Sequence, residues 1–253
     1  NSSAANLVSG DTNGHIDVFV RDMVNNVTQR VSVSSAEVQG SGGFGAFDNQ
    51  ISGNGRYVAF TSNETNVVTG VTLDVNVREV YVRDLVLGET VLVSTNTSGL
   101  PSTGGSSDDP SLSADGAYIM WHSTATDLVA GDSNGAEDVF RRDLVNDITV
   151  RVGQNTDEGT GEGGNQMISA TGQYVVHASG LPNQQRNLFR WNSASNSSIQ
   201  VNVTSAGASA TGGSSRDAVV SNDGTRVAYV SSASNLGGAI NAGSTNIYVY
   251  LGS

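Results

Sequence analysis

One short segment occurs four times along the chain. Ser113-Ala114-Asp115-Gly116-Ala117-Tyr118-Ile119-Met120-Trp121 has relatives beginning at Ser52, Ser169 and Ser221, with shared glycines at Gly55, Gly116, Gly172 and Gly224. A repeat of this kind constrains the fold more than composition does, because each unit must bury its apolar side against its neighbours. Asp-Gly or Asn-Gly between apolar runs marks a hairpin, since the tight turn needs a positive φ.

Two further families keep step with the first. One is Asp-Val-Phe-Arg-Arg-Asp at 138–143, matched at 17–22, 79–84, 187–192 and 246–251. The other is Thr-Gln-Arg-Val-Ser-Val at 28–33, matched at 90–95, 149–154 and 199–204. Alternation and β-branched residues make both read as strands. Gly/Ser-rich stretches at 40–45, 104–107, 159–164 and 212–215 lead into the next unit. Each unit then holds a short strand, the Ser-x-Asp-Gly turn and three more strands. Four antiparallel strands of this period make a propeller blade.

These residues resemble the TolB-type propeller repeats of exported bacterial and archaeal proteins, whose mark is a Ser-x-Asp-Gly turn followed by a Phe-ended strand. The resemblance spans essentially the whole chain. It implies an all-β fold, a β-propeller of about five four-stranded blades with incomplete blades at both ends. It says little about function, because such blades serve many roles. The expected organisation is a single propeller domain over 1–253. Residues 1–35 form a partial blade of two strands, and whole blades cover about 48–95, 108–154 and 165–204. Residues 217–251 form a partial blade of three strands. Such a set of strands does not tile a ring of whole blades. Two readings stay open: a fragment of a larger propeller, or subunits that complete each other's blades by strand addition. The second would build a head-to-tail filament, since such a contact need not close.

Composition narrows the partners. The net charge is −12, and all twelve cations are arginine, with no lysine. So acidic a chain repels phosphate backbones, which argues against nucleic acid. The absence of cysteine excludes disulfides, thiolate metal sites and cysteine nucleophiles. No apolar run reaches membrane-spanning length. A sequence opening on Asn1 rather than Met reads as a processed or partial chain, and export to the cell surface, the extracellular space or the periplasm fits it. Six Asn-x-Ser/Thr sequons, at Asn1, Asn26, Asn63, Asn96, Asn196 and Asn202, are open to a glycosylating host.

Candidate chemistry is sparse. The loops before two of the Val-Phe strands carry Asp11, Asn13 and Asp17, and Asp132, Asn134 and Asp138. Alternating oxygen ligands beside a glycine suit calcium, although the late Glu of an EF-hand is missing. The same pattern also reads as an Asn-Gly turn whose Asp side chains accept turn amides. No cofactor is required on this reading, and calcium is the one candidate. The Arg-Asp pairs 21/22, 83/84 and 142/143 point to opposite faces of a strand, so they are structural rather than mutual salt bridges. His177 occupies the slot of Phe60, Trp121 and Tyr229 and is expected to pack between blades; Phe44 and Phe47 either do the same or form an exposed contact patch. His122, one residue beyond that slot, has no metal spacing with it, and no nucleophile motif is present.

The functional expectation is a non-enzymatic extracellular scaffold or interaction module that associates with itself, with other extracellular proteins or with glycans. The alternative is a propeller that binds carbohydrate or another small ligand, with or without calcium. A propeller glycosidase ranks third, with Asp108, Asp109 and Asp217 as its carboxylates.

Overall fold

The computed structural model describes residues 1–133, 135–153, 167–179, 185–237 and 244–251. Among them lie seventeen strands and no helix, in five sheets. The first sheet pairs β1 (Phe19–Asp22) with β2 (Val27–Arg30). The second orders β3 (Ala46–Ile51), β4 (Tyr57–Ser62), β5 (Glu79–Asp84) and β6 (Glu89–Leu92). The third holds β7 (Ser107–Leu112), β8 (Tyr118–Ser123), β9 (Asp138–Asp143) and β10 (Ile148–Arg151). The fourth holds β11 (Met167–Ile168), β12 (Tyr174–Ser179), β13 (Asn187–Asn192) and β14 (Ser197–Gln200). The fifth has only β15 (Ser215–Val220), β16 (Val227–Ser231) and β17 (Asn246–Tyr250). The all-β reading stands, and each strand family falls where the repeat puts it. Gln154 and the glycine-rich stretch 159–164 lie outside the described residues.

Turn chemistry explains this regularity. In each Ser-x-Asp-Gly turn the serine hydroxyl bonds the side chain two residues on and accepts the amide that opens the next strand. Ser113 Oγ donates to Asp115 at 2.6 Å and accepts from Tyr118 N at 3.0 Å. Ser221 repeats this with Asp223 and Arg226 N. The acids belong to the turn.

The Arg-Asp pairs are equally local. Asp22, Asp84 and Asp143 each accept the backbone N–H groups two and three residues on, at 2.8–3.1 Å. The hairpin then closes through a left-handed residue: Asn26, Gly88, Asp147 or Asn196. Asn, Asp and Gly tolerate that conformation best. The arginine points across the hairpin to a threonine, giving Arg21–Thr28, Arg83–Thr90 and Arg142–Thr149 at 3.0, 3.1 and 2.7 Å. Neither member of a pair needs the other. Asp84 is bonded by Arg56 instead, which holds its carboxyl down at about 2. Asp84→Ala is expected to lower stability by about 1–2 kcal/mol, seen as a lower urea midpoint at an unchanged slope.

The chain divides into two compact units, Asn1–Leu112 with Trp121–Gly135, and Ser113–Met120 with Ala136–Ser253. In the first, Val18 and Val31 pack against Ala46, Val58, Phe60 and Tyr81, and Phe60 stacks on Tyr81 at 5.5 Å. In the second, Met120, Val175 and Trp191 share one cluster while Val176, Leu188 and Tyr229 share another. Val175 and Val176 are neighbours on β12, so the two faces of one sheet feed two cores.

The second unit also shows why glycine recurs in the turn. A Cβ on Gly172 would stand 2.1 Å from the Tyr118 ring, and one on Gly224 would stand 1.9 Å from the Tyr174 ring. Arg141 lies over Tyr118 at 4.0 Å and donates to Gly172 O, and Arg190 does the same with Tyr174 and Gly224 O. Gly172 and Gly224 are thus the seats of the preceding repeat's tyrosine, whereas a Cβ on Gly55 would meet no neighbour.

Candidate functional site

The candidate calcium ligands among the described residues have protein partners. Asp11 and Asp17 come together on one guanidinium, Arg30 Nη1, at 3.1 and 3.2 Å. Asp17 also accepts from Ser32 Oγ at 2.5 Å. Asn13 donates to Gly40 O and accepts from His15 N. Asp138 meets Arg151 at 3.4 Å, Asp132 is buried, and Asn134 lies outside the described residues. Among the described residues no three His, Cys, Asp or Glu side chains gather to hold a metal.

Position 17 has a structural use that sequence reasoning missed. Its equivalents open the third strand, and in three repeats the residue is tied to the segment that carries the fourth. Ser32 links Asp17 to Val18 N, Ser94 links Glu79 to Val80 N, and Asn202 links Asn187 to Leu188 N. Burial pushes the Glu79 carboxyl up to about 7 against the hydrogen bonds from Ser94 and Ser102. Glu64 is buried nearby in sequence and raised for the same reason, with His15 Nδ1 at 2.8 Å.

Two of the sequon asparagines are buried. Asn63 donates to Val75 O at 2.7 Å, and Asn202 donates to Asn187 and Ser215 at 3.0 Å each, both from inside the fold. A glycan on either nitrogen would displace those bonds. Asn96 is half-buried on Asp127, whereas Asn1, Asn26 and Asn196 are exposed. His177 is buried, stacked on Phe189 at 5.8 Å, but Phe44 is exposed rather than buried.

The acids of the first strands have unusual backbones. Asp48, Asp109 and Asp217 have φ of 40°, 52° and 52°. Asp48 and Asp217 lie where the register of β3 and β15 shifts, as at a β-bulge. Arg78 bonds Asp108 at 2.5 and 2.7 Å. Burial, then Asp109 and Asp108, raise the Asp48 carboxyl. In the second unit Arg216 meets Asp217 at 3.2 Å.

The fifth sheet departs from the repeat in what it leaves exposed. Its registers place Ala228 opposite Val249 and Val230 opposite Ile247 on one face, with Val219 opposite Ala228. The second sheet has the same registers, Ala59 opposite Val82 and Thr61 opposite Val80. There β7 lies against β3, β4 and β5, and Ala59 and Val80 are 0% exposed and Val82 3%. In the fifth sheet Ile247 is 78% exposed, Val249 55% and Val219 46%. The outer edge of β17, where the whole sheets carry a fourth strand, is also unpaired among the described residues. A core-type face is left in water.

TolB from Acinetobacter baumannii superposes with a TM-score of 0.50 at 16% identity, covering 92% of this chain and 45% of that one. The putative TolB from Agrobacterium tumefaciens gives 0.52 at 13%, covering 88% and 65%. The fold is that of a TolB-type propeller. At these identities the likeness concerns fold alone, and the chain spans about half to two thirds of those proteins' length. No protein-family model and no curated protein sequence matches the chain. Among the described residues no helix is long and apolar enough to cross a membrane.

The same comparison corrects one expectation. An oligogalacturonate lyase in complex with manganese has this fold, with a TM-score of 0.52 at 14% identity, covering 91% of this chain and 55% of that one. So does the tricorn protease, at 0.50 and 9%, covering 92% and 18%. The TolB-type fold thus occurs in enzymes, and the reading of the chain as not an enzyme does not stand. That reading rested on missing motifs, and propeller carboxylates carry no local motif to miss.

Proposed function

We propose that the chain is an interaction module that associates with itself through its fifth sheet, the edge of β17 adding a strand while the open face is covered. The observation that supports this most is the exposure of Ile247 and Val249 at positions that are core in the second sheet. Contiguous apolar faces on a soluble chain mark contact surfaces, and an unpaired edge is a template for another strand. Where a different surface of the next copy supplies the strand, the contact is head-to-tail and need not close, so open oligomers are expected. An exported location belongs to the proposal, and the acidic, cysteine-free composition fits it.

Sedimentation of the chain across micromolar concentrations tests it. The wild type is expected to run as a dimer or larger, and the double variant Ile247→Asp with Val249→Asp as a monomer with an unchanged melting temperature. A wild type that stays monomeric throughout the range overturns the proposal.

A further inference from the structure

A cavity of about 540 Å³ opens in the first unit between β6, the turn after β2 and the loop joining β4 to β5. That is within the usual range for small-molecule sites. Its walls are aliphatic: Val67, Val68 and Val71 from the loop, and Val91 and Leu92 from β6. No lining residue is charged or aromatic. We propose that this cavity binds a small, uncharged, aliphatic molecule carrying a hydroxyl, of the size of a medium-chain alcohol.

The lining excludes other classes. A charged ligand would be desolvated without a counter-charge, and a sugar ring would find no aromatic face to stack on. The polar groups of the wall select the hydroxyl. Ser34 Oγ accepts from Ala36 N and Val38 N. Ser35 Oγ accepts from Thr90 N at 2.9 Å and donates to Thr90 O, while Thr90 Oγ1 donates to Val33 O at 2.6 Å. These three hydroxyls are committed to the backbone, and they also seal the edge of β6 at Thr90 against strand addition. Thr95 differs. Thr69 is exposed, whereas Thr95 lines the cavity at 7% exposure and its Oγ1 has no hydrogen-bond partner among the described residues. A buried hydroxyl without a partner is unfavourable, and a ligand's own hydroxyl reaching it from the cavity would supply one.

The probe is 1-hexanol, titrated into methyl-labelled protein and followed by NMR, with hydroxyl-free 1-chlorohexane as its match. Saturable shifts confined to the methyls of Val67, Val68, Val71, Val91 and Leu92 are expected. Val71→Trp should abolish them by filling the cavity, and Ala36→Leu fills it from the opposite wall if the first variant does not fold. Thr95→Val should weaken hexanol binding by about fivefold and leave chlorohexane unchanged. Shifts that never saturate, or that spread over the whole chain, overturn the site. Equal loss of both probes in Thr95→Val overturns the hydroxyl preference. No residue of the fifth sheet takes part, so failure here leaves the self-association reading standing.

Discussion

Alanine in place of Gly45 is expected to destabilise the first unit by about 4 kcal/mol, more than any surface substitution in the chain. Two independent costs meet at this residue. Its φ of +122° is one that side-chain-bearing residues rarely adopt, and a Cβ there would stand 2.3 Å from Ile16 O and 2.7 Å from Ile16 N. Both atoms are backbone, so no side chain can swing aside. The approach is close because Gly45 and Ile16 form a parallel bridge, with Ala46 N donating to Ile16 O at 2.7 Å. That bridge joins the strand leading into β1 to β3, ahead of the Val18–Ala46 contact in the core. Urea unfolding checks the result: a loss below about 1 kcal/mol would mean that the bridge is not held in this form.

The second large effect is a dependence on pH. Glu79 is 3% exposed, and burial pushes its carboxyl from 4.5 up to about 7. A carboxyl whose folded pKa is raised stabilises the fold most below its unfolded pKa, and that stability is lost as pH rises through the folded value. The window therefore runs from about pH 4.5 to about pH 7, and the loss is on the order of 3 kcal/mol. Asp84, held down at about 2 by Arg56, acts in a separate window, losing its contribution only as pH falls below 3.8. Glu79→Gln keeps an acceptor for Ser94 or Ser102 but cannot ionise. The variant should be less stable than or equal to the wild type at pH 4.5 and clearly more stable at pH 8. Parallel stability profiles for the two proteins from pH 4.5 to pH 8 would show that Glu79 titrates normally.

The strands and turns were legible because their causes lie within a few residues. A serine, an acid and a glycine in four consecutive positions specify a turn wherever they occur, and Asp22, Asp84 and Asp143 cap the hairpins that follow them. What the sequence hid is what depends on distant residues. Asp17 has the composition of a cation ligand, but Arg30 and Ser32 are folded onto it from the next strand. Buried acceptors and metal ligands use the same side chains, so residue type alone could not separate them. Asn63 and Asn202 read as exposed sequons because burial is not written into three residues. The unbalanced strand families at the chain's ends were countable in advance, yet only the registers of β16 and β17 show which side chains they leave bare.

The tyrosine–arginine–glycine seats have a consequence for how such chains change length. Tyr118 and Arg141 sit on one repeat and Gly172 on the next, and Tyr174, Arg190 and Gly224 renew the arrangement one step later. At these two joints each repeat carries the plug and its successor the socket. A tandem duplication of one unit would arrive with both halves of each new joint already matched, and a clean deletion would rejoin a plug to a socket of the same shape. Gain or loss of repeats then needs no compensating substitution, so unit number is free to drift while the joint itself is preserved.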